Sequence, residues 1–485
     1  MPVKSPSMAL LADPAPQPAS ESLLESALAV SGAVLSDDEL REWLAWRHRS
    51  GSWETTKIDF DGLDGWSFDE KTCNLQHRSG RFFTVEGLDV SAGQGPVPRW
   101  SQPIIHQNEI GILGILVKRI DGVLHCLMQA KMEPGNINKL QISPTVQATQ
   151  SNYMRVHQGA SIPYLDYFAG PKRGRVLVDV LQSEQGAWFY HKRNRNIVVE
   201  VSEDVEVLED FCWVTVGQLR KMLATDDMVN MPGRTVLSSM PLAGPSMAGL
   251  DYAAAGGEFG QAMAYSLFDL GEPLHPMVEV LSWMNDAKTR HTLDKRSVPL
   301  AGLPGWHRTA SEIARDDGRF FKVIAVSVDA TTREVQRWTQ PMVEPVGVGV
   351  AGFLTKQING VVHVLAHARQ EPGYLDSIEI GPTVHYLAGR HNTADGDGEL
   401  PRYLTELLTA GPDQIRFDAV QSEEGGRFYH ARNRYLVAET TPDFPVSVPP
   451  DYCWVSVGQM SELVAHSRYL SVEARTLLAC LNSLW

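Results

Sequence analysis

Two apolar runs, 112–120 and 123–130, are separated only by Asp121-Gly122. An Asp-Gly pair supplies the positive-φ positions of a two-residue turn, so the pattern predicts a β-hairpin. The same pattern returns at 350–358 and 361–368 around Asn359-Gly360. Shorter strand-like runs occupy 175–180, 188–191 and 197–201. Ahead of the first hairpin, Leu40, Trp43, Leu44 and Trp46 recur at helical spacing behind Asp37 or Asp38, either of which can cap the helix. A closing helix starts near Val216-Gly217-Gln218-Leu219. The stretch 242–260, rich in Ala, Gly and Met, reads as a linker or crossover segment.

The hairpins belong to a longer repeat. Trp100-Ser101-Gln102-Pro103 returns as Trp338-Thr339-Gln340-Pro341, and the same displacement carries Arg81-Phe82-Phe83 onto Arg319-Phe320-Phe321. It also carries Glu133-Pro134-Gly135 onto Glu371-Pro372-Gly373 and Pro144-Thr145-Val146 onto Pro382-Thr383-Val384. One residue further out of step, Gln182-Ser183-Glu184 matches Gln421-Ser422-Glu423, and Arg193-Asn194-Arg195 matches Arg432-Asn433-Arg434. A fixed order with small drifts is what loop insertions after a duplication leave. The expected fold class is α+β, a mixed or antiparallel sheet flanked by helices, built twice. The expected division is a tail at 1–22, a module at 23–240, a linker at 241–270 and a second module at 271–485.

Composition narrows the function. The chain has 485 residues, 43% hydrophobic and 21% charged, with a formal net charge of -15. That size favours two domains, and the charge argues against nucleic-acid binding, which wants a basic face. The five cysteines form no C-x-x-C pair and read as small buried hydrophobes in a reducing compartment. No apolar run reaches membrane-spanning length and the N-terminus does not resemble a signal peptide, so a cytoplasmic location without membrane contact is expected.

Candidate chemistry gathers where the first hairpin ends. Two-residue alternation puts His125, Gln129, Lys131 and Glu133 on one face. A lone strand histidine is more often structural, but a polar row leaving a strand end suits a site. Residues present in both copies are explained first by the fold, and those present in one are freer for chemistry. On that ground Gln147, Asn152 and Tyr153 stand out, because the second copy has His385, Arg390 and His391 there. The segment Glu184 to Arg195 is the most charged and aromatic. Arg193 would suit phosphate oxygens, Trp188 or Tyr190 a base, with Glu184 and Asn194 beside them. A solvated strand edge is the equally weighted plain explanation. Arg81, Trp100, Gln102 and Thr145 are further pocket candidates that a structural role also explains. A second pocket could form from His363, Glu371, Thr383 and Arg432. His363 and His367 lack a third ligand at diagnostic spacing, so no metal site is expected.

The strings W-S-Q-P, E-P-G, P-T-V-Q-A-T-Q-S-N-Y and S-E-Q-G-A-W-F-Y-H-K-R-N-R-N, in this order and doubled, resemble the NDP-hexose 2,3-dehydratase family over roughly 23–484. The resemblance implies two tandem Nudix-like modules, a homodimer, and action on dTDP-4-keto-6-deoxy-D-glucose in making deoxysugars for glycosylated natural products. It also implies a downstream 3-ketoreductase that takes the unstable product. Nudix hydrolases carry a metal-binding acidic helix. At 147–153 and 385–391 this chain carries no such cluster, which removes the main support for metal-assisted attack on phosphorus. The implied reaction is a β-elimination that needs no cofactor. His125, Glu133 or Tyr153 would be base or acid, Lys131 and Gln129 would hold the enolate oxygen, and Gln147 and Asn152 would orient sugar hydroxyls. The first pocket is favoured because it keeps the P-T-V-Q string. A nucleotide-sugar pyrophosphohydrolase and a non-catalytic nucleotide-sugar-binding scaffold are the rival readings.

Overall fold

The computed structural model describes residues 19–29, 33–93, 98–150, 162–171, 174–241, 257–268, 270–330, 335–387 and 400–484. Asn152 and Tyr153 lie outside them.

The hairpin strands Gly111–Ile120 and Val123–Met132 form the centre of a seven-stranded sheet. Arg193–Val201 runs parallel to the first of them, while Arg175–Ser183 and Phe211–Thr215 pair antiparallel at the two sides. The sheet is therefore mixed. The turn forms as its residues dictate, with Asp121 and Gly122 both at positive φ. A second sheet of seven strands repeats this order with Ile415–Ser422, Arg432–Glu439, Gly349–Ile358, Val361–Gln370 and Tyr452–Ser456. The α+β class and its duplication are thus direct features of the structure.

Two smaller sheets tie the copies together by exchanging strands. Trp53–Ile58, from the first copy, pairs antiparallel with Phe321–Ala330 of the second, in the register Trp53 to Ala330 and Ile58 to Ala325. Leu293–Val298, from the second, pairs with Thr84–Ala92 of the first. Each copy therefore completes a sheet of the other.

Helix ends follow local chemistry. Asp37–Ser50 is capped by Ser36, not by Asp37 or Asp38: the Ser36 hydroxyl accepts from Glu39 N and the Glu39 carboxylate reaches back to Ser36 N. Thr215 with Gln218, and Ser456 with Gln459, build the same box at the closing helices. Helix Ala19–Leu28 begins within the last residues of the segment expected as tail, and its Ser26 hydroxyl donates to Leu124 O and accepts from Val216 N. Its counterpart is Gly257–Leu267, inside the segment expected as linker, where Ser266 donates to Val362 O. Both helices bury apolar faces on their sheets, so each repeat includes a helix upstream of the one the apolar spacing reveals.

Helices Met231–Ser238 and Val472–Leu481 pack against each other between the copies. Arg234 and Arg475 are fully buried there and cross over symmetrically. Arg234 donates to Ser422 O at 2.6 Å, and Arg475 donates to Ser183 O. Each also bonds the threonine of the opposite helix, Thr476 or Thr235. Buried guanidinium groups are costly unless their donors find acceptors, and these do.

Candidate active site

One end of the first sheet opens into a cavity of about 590 Å³. Its floor is the strand end that carries Gln129 and Lys131, continued by Glu133, Gln147, Glu184, Lys192 and Asn194. Its wall is supplied by the second copy: Trp338, Gln340, Glu424, Gly426 and Arg427. Trp66 and His77, on strands of a strand-exchanged sheet, and Arg78 and Phe82, in the loop that follows, border it.

Backbone contact between the copies positions this wall. Gly135, the glycine of Glu-Pro-Gly, donates its N–H to Gly425 O at 2.8 Å, and a Cβ on it would sit 1.7 Å from Phe428 O. Gly373 makes the twin contact with Gly186 O at 2.7 Å, and a Cβ there would lie 1.7 Å from Phe189 O. Close backbone approach explains why both copies need glycine here.

Glu133 is buried and held by amides. Gln147 Nε2 donates to its Oε1 at 2.7 Å, and Asn230 Nδ2 lies 3.3 Å from its Oε2. Ser143 and Asn230 in turn donate to Gln147 Oε1, and Lys131 Nζ donates to Gln147 O at 3.1 Å. A carboxylate and two oriented amides thus meet, and Lys131 is tied to the backbone of one of those amide residues. Glu184 accepts from Asn194 Nδ2 at 2.6 Å, and burial raises its pKa against the pull of Arg475. Lys192 donates to Glu109 O, and burial pulls its pKa down to about 8 although Glu184 opposes this. Glu424 is pushed up to about 7, first by burial and then by Glu133, while Arg427 pulls the other way. Arg427 lies over the Phe83 ring, 4.5 Å from its centroid, and Nε donates to Gln107 Oε1 at 3.3 Å.

Gln129, Lys131, Glu133, Thr145, Gln147, Glu184 and Asn194 line the cavity as the spacing suggests, although the Thr145 hydroxyl is committed to Leu127 O and Leu116 N. His125 does not reach it. Its Nε2 accepts from Val34 N at 3.3 Å and its Nδ1 bonds Val123 O at 2.9 Å, so it pins the chain ahead of the capped helix. His363 repeats this with Leu274 N and Val361 O. Strand alternation does place His125 in the row. Yet the intervening Leu127 is packed under Phe168 and Trp213, and the open space begins only at Gln129.

Trp100 and Gln102 bond each other, and Gln102 ties down Ala187 O at 2.7 Å, away from the cavity. Their twins Trp338 and Gln340 line it instead. Trp188 is packed in the core against Phe428, and its twin position holds the cavity residue Arg427. Tyr190 stacks on His191; Arg81 is exposed; neither they nor Arg193 line the cavity. Only part of the expected set lines the cavity, and the rest of its wall comes from the other copy.

The second-copy residues His363, Glu371, Thr383 and Arg432 do not line this cavity. Glu371 is engaged by Arg369, whose Nε donates at 2.7 Å, and Thr383 bonds Leu365 O and Leu354 N. Arg432 pairs with Asp227 at 3.6 Å. Where the first copy has Asn136 and Asn196, the second has Tyr374 and Tyr435, both fully buried.

Lys192, Asn230, Glu424 and Arg427 are the residues that spacing alone passed over. Comparing the copies position by position would have flagged three of them: Lys192 faces Ala431, Glu424 faces Gln185, and Arg427 faces Trp188.

Fold and cavity together define a class: a duplicated α+β protein in which a polar chamber, built across the copies, holds acids and amines in partly buried positions. Relatives narrow this further. The family model for NDP-hexose 2,3-dehydratase matches twice, at residues 37–240 and 277–481. A 2,3-dehydratase of dTDP-4-dehydro-6-deoxy-alpha-D-glucopyranose from Saccharopolyspora spinosa is 52% identical over 462 residues, covering 95% of this chain and 94% of that one. Proteins of the same description from Amycolatopsis orientalis and Streptomyces violaceoruber are 45% and 47% identical, covering 94% and 91% of this chain and 93% and 96% of theirs. The chain belongs to the NDP-hexose 2,3-dehydratase family.

Proposed function

We propose that the protein removes water across C2 and C3 of dTDP-4-keto-6-deoxy-D-glucose, with Glu133 as the base. The observation that carries this reading is the Glu133 carboxylate, buried and fixed by Gln147 and Asn230, in a chamber that Lys131 also lines and that both copies build. The C4 ketone acidifies the C3 proton. Glu133 takes it, and Lys131 and Gln129 donate to the oxygen on which enolate charge develops. One well-placed donor of this kind contributes roughly 2.7–4 kcal/mol. Collapse of the enolate expels the C2 hydroxyl, and the resulting enol becomes a 3,4-diketo-2,6-dideoxy sugar.

The aromatic residues Trp66, Phe82 and Trp338 suit the thymine, with Arg78 and Arg337 at the rim to meet the diphosphate. This replaces Arg193, Trp188 and Tyr190 in those roles. Each repeat is then a Nudix-like module put to elimination instead of phosphorus chemistry, and the subunit works as a homodimer that passes its product to a ketoreductase. Lys131 and Gln129 supply the charge and hydrogen bond that a metal would otherwise bring to the enolate oxygen, so turnover should survive dialysis against a chelator. Mass spectrometry of dTDP-4-keto-6-deoxy-D-glucose after incubation tests the reading. Loss of one water supports it, and release of dTMP would point to the pyrophosphohydrolase instead.

A further inference from the structure

The chamber places a second carboxyl group next to the base. Glu424 lies in the Ser422-Glu423-Glu424-Gly425 loop of the second copy and lines the cavity built on the first. The two segments touch: a Cβ on Gly425 would come 3.0 Å from Glu133 Cβ. Glu424 Oε1 accepts from Gly426 N at 3.1 Å. Oε2 is closed off from solvent and has no hydrogen-bond partner among the described residues. A buried, unpartnered carboxylate oxygen is costly to ionise, so the site favours the protonated form that an acid must start from.

Resting on the dehydratase reading, we infer that Glu424 is the acid that protonates the departing C2 hydroxyl. The sugar's stereochemistry supports the pairing. In the D-gluco configuration the C3 hydrogen and the C2 hydroxyl project from the same face of the ring. Base and acid must then stand side by side, as the neighbouring Glu133 and Glu424 do.

The proton balance closes without a co-reactant. The C3–H bond breaks, its proton goes to Glu133, and its electron pair becomes the enolate. As the C4 carbonyl re-forms, the pair becomes the C2–C3 double bond, the C2–O bond breaks, and the oxygen leaves as water with the Glu424 proton. In the enol, Glu133 returns its proton to C2 while the C3 hydroxyl gives its proton to the Glu424 carboxylate. Both acids end as they began. Burial first, then Glu133 and Glu184, favours the protonated form of Glu424, Arg427 and the Gly426 N–H favour ionisation, and Lys192 faces it as a further cation.

The test is Glu424→Gln, which places there the residue that the twin loop already carries at Gln185. Water loss and deuterium entry at C3 are followed with dTDP-4-keto-6-deoxy-D-glucose in deuterium oxide. Dehydration should fall by roughly 10²–10⁴-fold, the effect of removing a positioned acid, while C3 deuteration continues. Glu424→Asp should recover part of the rate. The unaltered protein should lose activity as pH rises through about 7, and that limb should vanish in Glu424→Gln. Dehydration within about threefold of the unaltered rate, or parallel loss of dehydration and C3 exchange, overturns the assignment. If the unaltered protein itself removes no water, the dehydratase reading fails first.

Discussion

Glu379 and Gln141 occupy the same place in the two copies, and the difference between them is measurable. Ser183 Oγ donates to Glu379 Oε2 at 2.6 Å, and Gln141 Nε2 donates to Ser422 Oγ at 2.8 Å. Burial pushes Glu379 up to about 7, above its usual range. Between its unfolded pKa and about 7 the folded chain holds a proton that the unfolded chain has released, so stability falls as pH rises through that window. Glu379→Gln should therefore stabilise the protein by roughly 1–3 kcal/mol at pH 8 and by little at pH 5, read as the change in unfolding midpoint. At the opposite sign, burial lowers His363 to about 4. Stability gained there is present above the ordinary histidine pKa and drains away as pH falls from about 6.5 toward 4. His363→Gln should flatten that acid limb. At the site, Glu133→Gln should cut turnover by roughly 10²–10⁴-fold with dTDP binding kept, checked by calorimetry beside the kinetic assay. Single residues were the hardest scale to read from sequence. Alternation put His125 and Glu133 in one row, but which part of a strand face is covered depends on Phe168 and Trp213, remote in sequence.

Among the elements, the hairpins and their turns were legible because the signal is local: apolar runs and a two-residue turn lie within twenty positions. The capping box at Ser36 is equally local, but Asp37 and Asp38 directly after it offer the same cap chemistry and mask its position. Strand exchange left no such mark. Trp53–Ile58 finds Phe321–Ala330 far along the chain, and nothing within either segment names its partner. The Glu-Pro-Gly turns stand between these cases. A Pro-Gly pair suits a turn, but neither Gly135 nor Gly373 has positive φ, and what excludes a side chain is the neighbouring copy's backbone. Gly135→Ala should thus destabilise by about 2 kcal/mol or more and reduce activity through the displaced Gly425 loop. Thermal unfolding and the kinetic assay measure both effects.

At the scale of the whole molecule, the duplication was visible in the order of the repeated strings, while the sharing of one chamber was not. Copies that match along the sequence suggest a pocket in each. The structure instead builds the chamber from the floor of one and the wall of the other. Cutting the chain within 242–256 should test this. Each half expressed alone should be insoluble or inactive, and co-expression of both should restore dehydration. Activity from the first half alone would contradict a wall supplied by the second.

Lending strands in both directions has a consequence for ancestry. A single ancestral repeat would have left a sheet incomplete and could have closed it by pairing with another copy of itself, every change then appearing twice. Joining two copies in one chain lifts that constraint. One side could then carry Arg369, Tyr374 and Tyr435 where the other carries Lys131, Asn136 and Asn196. Division of labour between rigid support and chemistry is open to fused twins and closed to identical ones.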